Sequence, residues 1–510
     1  MSSAPPIAIV LAAGKGTRMK STRPKVLFEV LGRSLVRRVA TAAEAAGCSD
    51  VVVVVGFGGE QVRAELKGVH FAVQEGLQGT GQAVDSARGT LDFSGRTVLI
   101  LPGDVPLMEA STLQSLLQHH HKSKAAITVA TLQLEDPTGY GRIIRSPRGD
   151  TVERIVEHRD ANEDQRQVRE INSSIYAAEG SFLFGSDGQS GALRQLKTDN
   201  DQGEFLLTDV VAIAADEGRA VVPFPISDAL EAEGVNDRAQ LSSLERRVRD
   251  KLNNKWMSEG VSMQDPSSTW IEEGVDLATD VTLGANVELR GDTRIGQGAS
   301  IATGCILVDV TVAPGASVGP YVVARGTDIA TGSVIRPFSV LSGVNEKAPD
   351  HSQPEDRVQV GEAALVGPFA HLRQSTELGP GSKAGNFVEL KKSSLGENAK
   401  ANHLAYLGDA TIGPGSNIGA GVITCNYDGF SKHRTVIERD AFVGTNCQLI
   451  APIKVGEGAY IATGTTVSRN VPADALAIGR ARQENKAGYA SRMKNHLARK
   501  AGKDPGDSSG

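Results

Sequence analysis

LATDVTLGANVELRGDTRIGQGASIATGCIL, Leu277–Leu307, returns to an aliphatic residue at every sixth position: Leu277, Leu283, Leu289, Ile295, Ile301 and Leu307. A step of six is neither the 3.6 of a helix nor the 2 of an alternating strand. It predicts a parallel β-helix of hexapeptide repeats, each aliphatic side chain pointing inward and stacking on its counterpart one coil away. Gly, Ala, Thr and Asp between them suit tight corners. The same step recurs at Ile437, Val443, Leu449, Val455, Ile461 and Val467, at Val366, Leu372, Leu378, Ala384 and Leu390, and at Ile412 and Ile418. Two segments break it. Val344 to Ala363 is charged and proline-bearing, and Asn426 to Arg434 is polar, so both are expected to leave the coil as loops.

Upstream, the texture changes. Ile7 to Leu11 reads as a buried strand, Leu35 to Ala46 as a helix ending at Gly47, and Val51 to Val55 as a central parallel strand covered on both faces. Phe71 to Val73 and Thr97 to Leu101 repeat the strand character, with helical stretches near Gly81 to Ala87 and Ser111 to His121. This βαβαβ order predicts an α/β domain with a mostly parallel, Rossmann-like sheet, whose ligands bind beyond the carboxyl ends of the strands. Leu241, Leu244, Val248, Leu252 and Trp256 recur at helical spacing among charged residues, predicting an amphipathic connector with a solvated face. The expected division is therefore 1–237, a linker helix over 238–262, a β-helix over 263–480, and a basic, disordered tail over 481–510.

Composition narrows the function classes. The 510 residues exceed what one hydrophobic core serves, and 57 glycines with 4% aromatics fit a repetitive all-β segment. The 54 Lys and Arg against 60 Asp and Glu give a net charge of −6, which argues against nucleic-acid binding through overall charge. Cys48, Cys305, Cys425 and Cys447 form no CxxC pair and suggest neither a zinc site nor a disulfide framework. No basic leader or membrane-length apolar run is present, so a cytoplasmic protein with no membrane partner is expected.

Three polar groups fall where an open sheet binds ligands. The glycine-rich loop after the first strand carries Lys15, Arg18 and Lys25, and can turn backbone N–H groups toward a phosphate. Its spacing is neither GxGxxG nor GxxxxGK[ST], and alone it reads equally well as a strand-to-helix turn. Gln74 with Gln78-Gly79-Thr80-Gly81 follows the third strand, and Asp104 follows the fourth. An Asp at that place suits magnesium, or equally a turn cap beside Pro106. The His119-His120-His121 run lacks accompanying Cys or carboxylate spacing for a metal. In the second half, His403 alone reads as structural, but with Arg373, Lys391, Tyr406 and Asn417 it could bind a phosphosugar.

The ordered motifs LAAGKGTRM with Pro24-Lys25, QGTGQA, PGD, DPTGYGRI, VEH, EIN and EGVN, over Ile7 to Asn236, resemble those of sugar-1-phosphate nucleotidyltransferases. The segment from GNFVELKK to CNYDG resembles an acetyltransferase half. Together the chain resembles the bifunctional bacterial N-acetylglucosamine-1-phosphate uridyltransferase and glucosamine-1-phosphate acetyltransferase family, over Ile7 to about Asn236 and Gly274 to Arg480. The resemblance implies a left-handed β-helix, a homotrimer with acetyltransfer sites between neighbouring β-helices, Mg2+, and acetyl-CoA and UTP as co-substrates. It implies that glucosamine 1-phosphate is acetylated and that N-acetylglucosamine 1-phosphate then receives UMP, for cell-wall precursor synthesis. Leu11, Ala12, Ala13, Gly14, Gln74, Gly79 and Thr80 would hold the uridine nucleotide, with Arg18 and Lys25 toward its phosphates. Asp104 and Asn236 would hold the metal, and Gly141, Glu157 and Asn172, with Asn236, the amino sugar. In the second site His403 would be the general base, Arg373 and Lys391 the phosphate contacts, and Tyr406, Asn417 and Asn426 sugar-side groups. Ala420, Tyr427, Thr445, Thr463 and Arg480, with Asn426 beside them, would line the acetyl-CoA path. Pro102, Gln374, Asn402 and Thr445 depart from common residues of the family (Tyr, Pro, Gly and Ser).

Overall fold

The computed structural model describes residues 4–76, 78–186, 190–345 and 353–503. Two compact units divide it: Met1–Asn254 with Ile271–Glu273, and Lys255–Trp270 with Gly274–Gly510.

In the first unit, Ile7–Ala12 lies between Asp50–Val55 and Thr97–Pro102, parallel to both, and His70–Val73 extends the sheet beside Asp50–Val55. Alternate residues face opposite sides. Ile7, Ile9, Val52 and Val54 join one apolar cluster, while Ala8, Val10, Val51, Val53 and Val55 join another across the sheet. The valine run is thus buried on both faces, as its composition requires. One strand departs from the parallel pattern. Glu170–Glu179 runs antiparallel between Thr97–Pro102 and Ile127–Gln133, and Arg142–Arg145 with Val152–Val156 forms a hairpin at its start. Helix Leu35–Ala45 ends as expected: Gly47, at φ 101°, continues the chain where a side chain would be strained.

The connector is a single helix, Arg238–Ser258. The division falls inside it, between Asn254 and Lys255, rather than before it. Its charges explain why. Arg247 pairs with Glu233 at 2.7 Å, Arg238 donates to the Met19 carbonyl at 3.1 Å, Glu245 accepts from the Leu31 N–H at 3.3 Å, and Lys251 pairs with Glu109. Glu245 and Arg247 of the face expected to be solvated are thus engaged with the first unit, while Arg246 and Asp250 stay exposed.

The histidine run packs rather than clusters. His120, on helix Ala110–Ser123, is buried with its Nδ1 3.0 Å from Thr128 Oγ1; His121 Nε2 lies 2.9 Å from Thr97 Oγ1; and the His119 ring approaches Phe224. Burial, aided by the neighbouring imidazoles, pushes the His120 pKa down to about 4. The fold therefore favours neutral His120. Below the unfolded value of about 6.5 the denatured chain gains a proton the native chain refuses, so stability falls as pH drops from there toward 4. The expected loss is on the order of 3 kcal/mol. Urea unfolding of the first unit at pH 7 and pH 4.5 should show a smaller drop for His120→Gln than for the wild type.

The second unit is the expected parallel β-helix: among the described residues 29 short strands form one sheet, and nearly every strand pairs in register with one two or three places on. Three internal stacks run its length. One reads Leu283, Ile301, Val318, Ile335, Val366, Ala384, Ala401, Ile418, Val443 and Ile461, each in register with the next. Nearly all are fully buried, and burying each large aliphatic side chain contributes roughly 1.5–3 kcal/mol. Several coils are one residue shorter than three hexapeptides. Leu390 stacks on Leu407 and Leu395 on Ile412, because strands such as Lys383–Lys391 and Lys400–Gly408 carry the chain across a corner.

The expected loop 344–363 is shorter than its composition implied. Residues 346–352 lie outside the described part, but Val358–Val360 is a strand of the coil, with Val360 between Ile329 and Leu378. The segment Asn426 to Arg434 does leave the stack, between strands Ile423–Cys425 and Thr435–Ile437. The tail expected to be disordered contains helix Tyr489–Lys500. Tyr489, Met493 and Leu497 recur at four-residue spacing, which supplies the helical pattern that its charges obscured.

Candidate active sites

In the first unit the loop after Ile7–Ala12 and the turn after Thr97–Pro102 meet. The Gly103 N–H donates to the Leu11 carbonyl at 2.9 Å, and a Cβ on Gly103 would stand 2.8 Å from that oxygen. Only glycine lets Asp104 come this close. Gly16, at φ 58°, plays the same part for Lys25: a side chain there would strike the Lys25 Cβ at 2.5 Å. The Lys25 ammonium then forms an ion pair with the Asp104 carboxylate.

Across the crevice, Gln74 is buried and its Nε2 donates to the Gly79 carbonyl at 2.9 Å and to Gln82 Oε1 at 3.0 Å. Gly79, at φ 101°, and Gly81 abut the Phe205 carbonyl, to which Gly81 donates at 2.8 Å. An open cavity of about 280 Å³ lies between the two loops, bordered by Leu11, Ala13, Gly14, Gln74, Gly79 and Thr80. The Ala12 side chain is in the core, so only its backbone is available, and Arg18 stands exposed on the short turn Thr17–Met19 outside that lining.

Asn236 is brought to Asp104 by the chain: the Val235 N–H donates to the Asp104 carbonyl at 2.9 Å. A Cβ on Gly234 would lie 4.0 Å from Asp104 Oδ2, so glycine leaves that face of the carboxylate open. A carboxylate and, one residue beyond the Val235 backbone contact, a side-chain amide oxygen make up a hard-oxygen donor set. It fits magnesium, which commonly takes one or two protein carboxylates and completes its shell with phosphate and water.

Gly141, Glu157 and Asn172 also converge. The Asn172 N–H donates to the Gly141 carbonyl at 2.9 Å, and a Cβ on Gly141 would stand 3.5 Å from Glu157 Oε2 and 3.6 Å from Asn172 Cβ. A bulge in Glu170–Glu179, with Ser174 at φ 63°, aims Asn172 so that its Nδ2 donates to Tyr176 Oη at 2.7 Å. Burial pushes the Glu157 carboxyl up from the usual range; Thr208 Oγ1, donating at 3.4 Å, opposes this, while Asp160 and Asp209 add to it. The strap Phe205–Thr208 was not anticipated. Besides these contacts its Leu207 N–H donates to Thr80 Oγ1 at 3.0 Å. It has no periodicity or glycine motif, and the Thr-Asp pair opening helix Asp209–Asp216 is its one local signal.

On the β-helix, Asn386 stacks in register with His403, and Glu389 with Tyr406. The His403 ring is exposed and its Nδ1 hydrogen-bonds Asn386 Oδ1; Arg373 Nη1 donates to Glu389 Oε1 at 2.8 Å. Lys391 stacks on Gly408. A Cβ on Gly408 would lie 2.5 Å from Tyr406 Oη and 2.6 Å from Asn426 Nδ2, so these two polar groups meet above it. Asn426 is buried and donates to Asp409 Oδ2 at 2.6 Å. The loop that follows closes on itself. The N–H groups of Ser431 and Phe430 and the His433 ring converge on Asp428, holding its carboxyl well below the usual range, with the Ser431 N–H the largest cause.

The remaining expected residues form separate groups. Asn417 lies on another face, in the ladder Lys400, Asn417, Phe442. Ala420, Thr445 and Thr463 follow successive close-packed corners at Gly419, Gly444 and Ala462, where a Cβ on Gly419 would stand 2.7 Å from the Thr445 nitrogen and one on Gly444 2.6 Å from the Thr463 nitrogen. Arg480 Cδ stands 4.0 Å from the Cβ position of Gly464. These positions trace a line along the axis. Tyr427 belongs to the loop, its ring under the Lys432 ammonium at 4.9 Å. Asn386, Glu389 and Asp409 were missed, since each meets its partner 16 or 17 residues away.

Residues 8–203 match the model of the MobA-like NTP transferase domain family. "Bifunctional protein GlmU" of Sorangium cellulosum is 44% identical over 97% of this chain and 98% of its own length. The protein of the same name from Geobacter metallireducens is 47% identical over 96% and 99%. A solved structure of UDP-glucose pyrophosphorylase complexed with UDP-glucose is similar at 16% identity and a TM-score of 0.39, over 48% of this chain and 99% of that one, too slight a likeness to carry a conclusion. With full-length identity at this level, and a nucleotidyltransferase domain followed by a parallel β-helix, the chain belongs to the family of bifunctional GlmU proteins, enzymes with the acetyltransferase and uridyltransferase activities of UDP-N-acetylglucosamine synthesis.

Proposed function

We propose that the two reactions of this bifunctional enzyme occupy two separate sites, acetyl transfer at His403 on the β-helix and uridylyl transfer at the loop Leu11–Gly14. The observation that carries the reading is the convergence of Lys25, Asp104 and Asn236 beside that loop, opposite Gln74 and Gly79.

At the first site the uridine of UTP lies between Leu11–Gly14 and Gln74–Thr80, and Gly141, Glu157 and Asn172 hold the acetylated amino sugar. A sugar 1-phosphate has a second pKa of about 6, so its attacking oxygen is already ionised near neutral pH. The site therefore supplies no base. A phosphate oxygen attacks the α-phosphorus, a new P–O bond forms, and pyrophosphate leaves. Lys25 and Arg18 offset the repulsion between the two anions and align them. Magnesium held by Asp104 and Asn236 would supply further positive charge at the phosphates.

At the second site Arg373 and Lys391 take the phosphate of glucosamine 1-phosphate, and Tyr406, Asn417 and Asn426 its sugar. His403 accepts the proton of the attacking amine as the N–C bond to the acetyl carbon forms; the thiol of CoA leaves. Ala420, Tyr427, Thr445, Thr463 and Arg480 border the path of acetyl-CoA. A homotrimer with sites between copies is supported by an exposed ridge of stacked rings, Tyr321, Phe338, Phe369 and Phe387, at centroid spacings of 5.1–5.3 Å. Exposed Leu404 stands one coil beyond Phe387, beside His403. The placement of Asn417 on another face also fits a site completed by a second copy. A cytoplasmic setting is supported by the free cysteines, and no helix among the described residues is long and apolar enough to cross a membrane.

Purified protein given glucosamine 1-phosphate, acetyl-CoA, UTP and Mg2+ is expected to form UDP-N-acetylglucosamine, pyrophosphate and free CoA. Without acetyl-CoA, UTP should persist until N-acetylglucosamine 1-phosphate is added. Rapid UTP consumption without acetyl-CoA or the acetylated sugar would contradict the proposed order.

A further inference from the structure

We propose that Asn386 is a positioning residue for acetyl transfer, fixing the tautomer of His403 so that Nε2 is the free base. The proposal rests on the reading of His403 as the base. Strands Lys383–Lys391 and Lys400–Gly408 pair in parallel, and their register sets Asn386 directly against His403. The coil between them is 17 residues long, so this pairing is built into the backbone rather than left to flexible side chains. Asn386 Oδ1 faces His403 Nδ1 within hydrogen-bond distance. A carbonyl oxygen can only accept, so Nδ1 carries the proton and Nε2 keeps its lone pair.

That arrangement has a chemical consequence. An isolated neutral imidazole divides between two tautomers, and its ring can turn; a base that must meet one amine proton works in one of those states. When Nε2 takes the proton, the ring becomes a cation carrying N–H groups at both nitrogens. The Asn386 carbonyl then stabilises the Nδ1–H dipole without adding a negative charge. A carboxylate in its place would hold the imidazolium more strongly and raise the pKa of the ring. The amide thus orients His403 without placing a charge beside the ring.

Two substitutions and one cycle test this. Asn386→Ala should lower kcat for CoA release by on the order of 10²-fold, within the range of general-base contributions, with the KM for glucosamine 1-phosphate changing by less than about twofold. Asn386→Asp should retain activity but move the acidic limb of the kcat–pH profile to higher pH. Pyrophosphate release from UTP and N-acetylglucosamine 1-phosphate, measured on the same preparations, reports whether the chain is folded. In a His403→Ala background, Asn386→Ala should cost nothing further. An equal cost with and without His403, an unshifted acidic limb in Asn386→Asp, or wild-type kcat in Asn386→Ala overturns the proposal. Retention of acetyl transfer in His403→Ala alone would instead overturn the base assignment on which it rests.

Discussion

His403→Ala is expected to lower acetyl transfer by about 10²–10⁴-fold and to leave uridylyl transfer unchanged. Glucosamine 1-phosphate presents an amine that is largely protonated near neutral pH; it must first give up that proton to free its lone pair, and the attacking nitrogen then loses a second proton as it bonds to the thioester carbon. Arg373, Lys391 and Tyr406 can hold the substrate, but the two cations have no lone pair to offer and a phenol is a poor base at that pH. On the proposed reading the imidazole therefore carries the proton transfer. His403 is exposed, with one partner across the coil, so its truncation removes little packing and the β-helix should persist. The measurement is paired: free thiol from acetyl-CoA and pyrophosphate from UTP, on one preparation, at matched far-UV circular dichroism. Loss of both activities in a folded chain would refute the two-site reading.

Asp104→Ala should produce the opposite pattern, a loss of about 10²–10³-fold in pyrophosphate release with thiol release intact. The carboxylate lies at the end of a central strand and is joined to Lys25. Its removal leaves the Lys25 ammonium without its partner, free to pair with a phosphate in an unproductive pose, and takes away the carboxylate of the metal donor pair. Substrate binding should suffer less than turnover, because Gln74, Gly79 and Thr80 remain to hold the base. Mn2+ binding, followed by water-proton relaxation with UTP present, should weaken in Asp104→Ala and Asn236→Ala and persist in His403→Ala. Equal Mn2+ affinity in all three would remove Asp104 and Asn236 from the metal site.

The two sites were unequally legible. The glycine-rich loop, Gln74 with Gly79, and Asp104 stand at strand ends, and the crossover rule for parallel sheets gathers strand ends into one crevice. Gly141, Glu157 and Asn172 came by resemblance, and the hairpin and antiparallel strand that join them interrupt the parallel pattern. Thr208 had only the helix-opening Thr-Asp pair as a signal, and the Phe205 carbonyl had none. On the β-helix, His403 stood out only in company with Arg373 and Lys391, while Asn386 and Glu389 read as ordinary coil residues.

Local order explains what the chain announces by itself. A six-residue step, a valine run bounded by turn signals and glycines beside a strand are patterns among near neighbours, and they suffice for a parallel sheet followed by a parallel β-helix and for a phosphate-sized loop. Partner choice needs the tertiary structure. Whether His403 meets Asn386 depends on a coil of 17 rather than 18 residues, since one more residue would set Gly385 opposite it and offer no side chain. Whether Lys25 meets Asp104 depends on the close approach that Gly16 and Gly103 permit. Those distances are set by how corners and strands close on one another, a property of the packed backbone that no short stretch of the sequence contains.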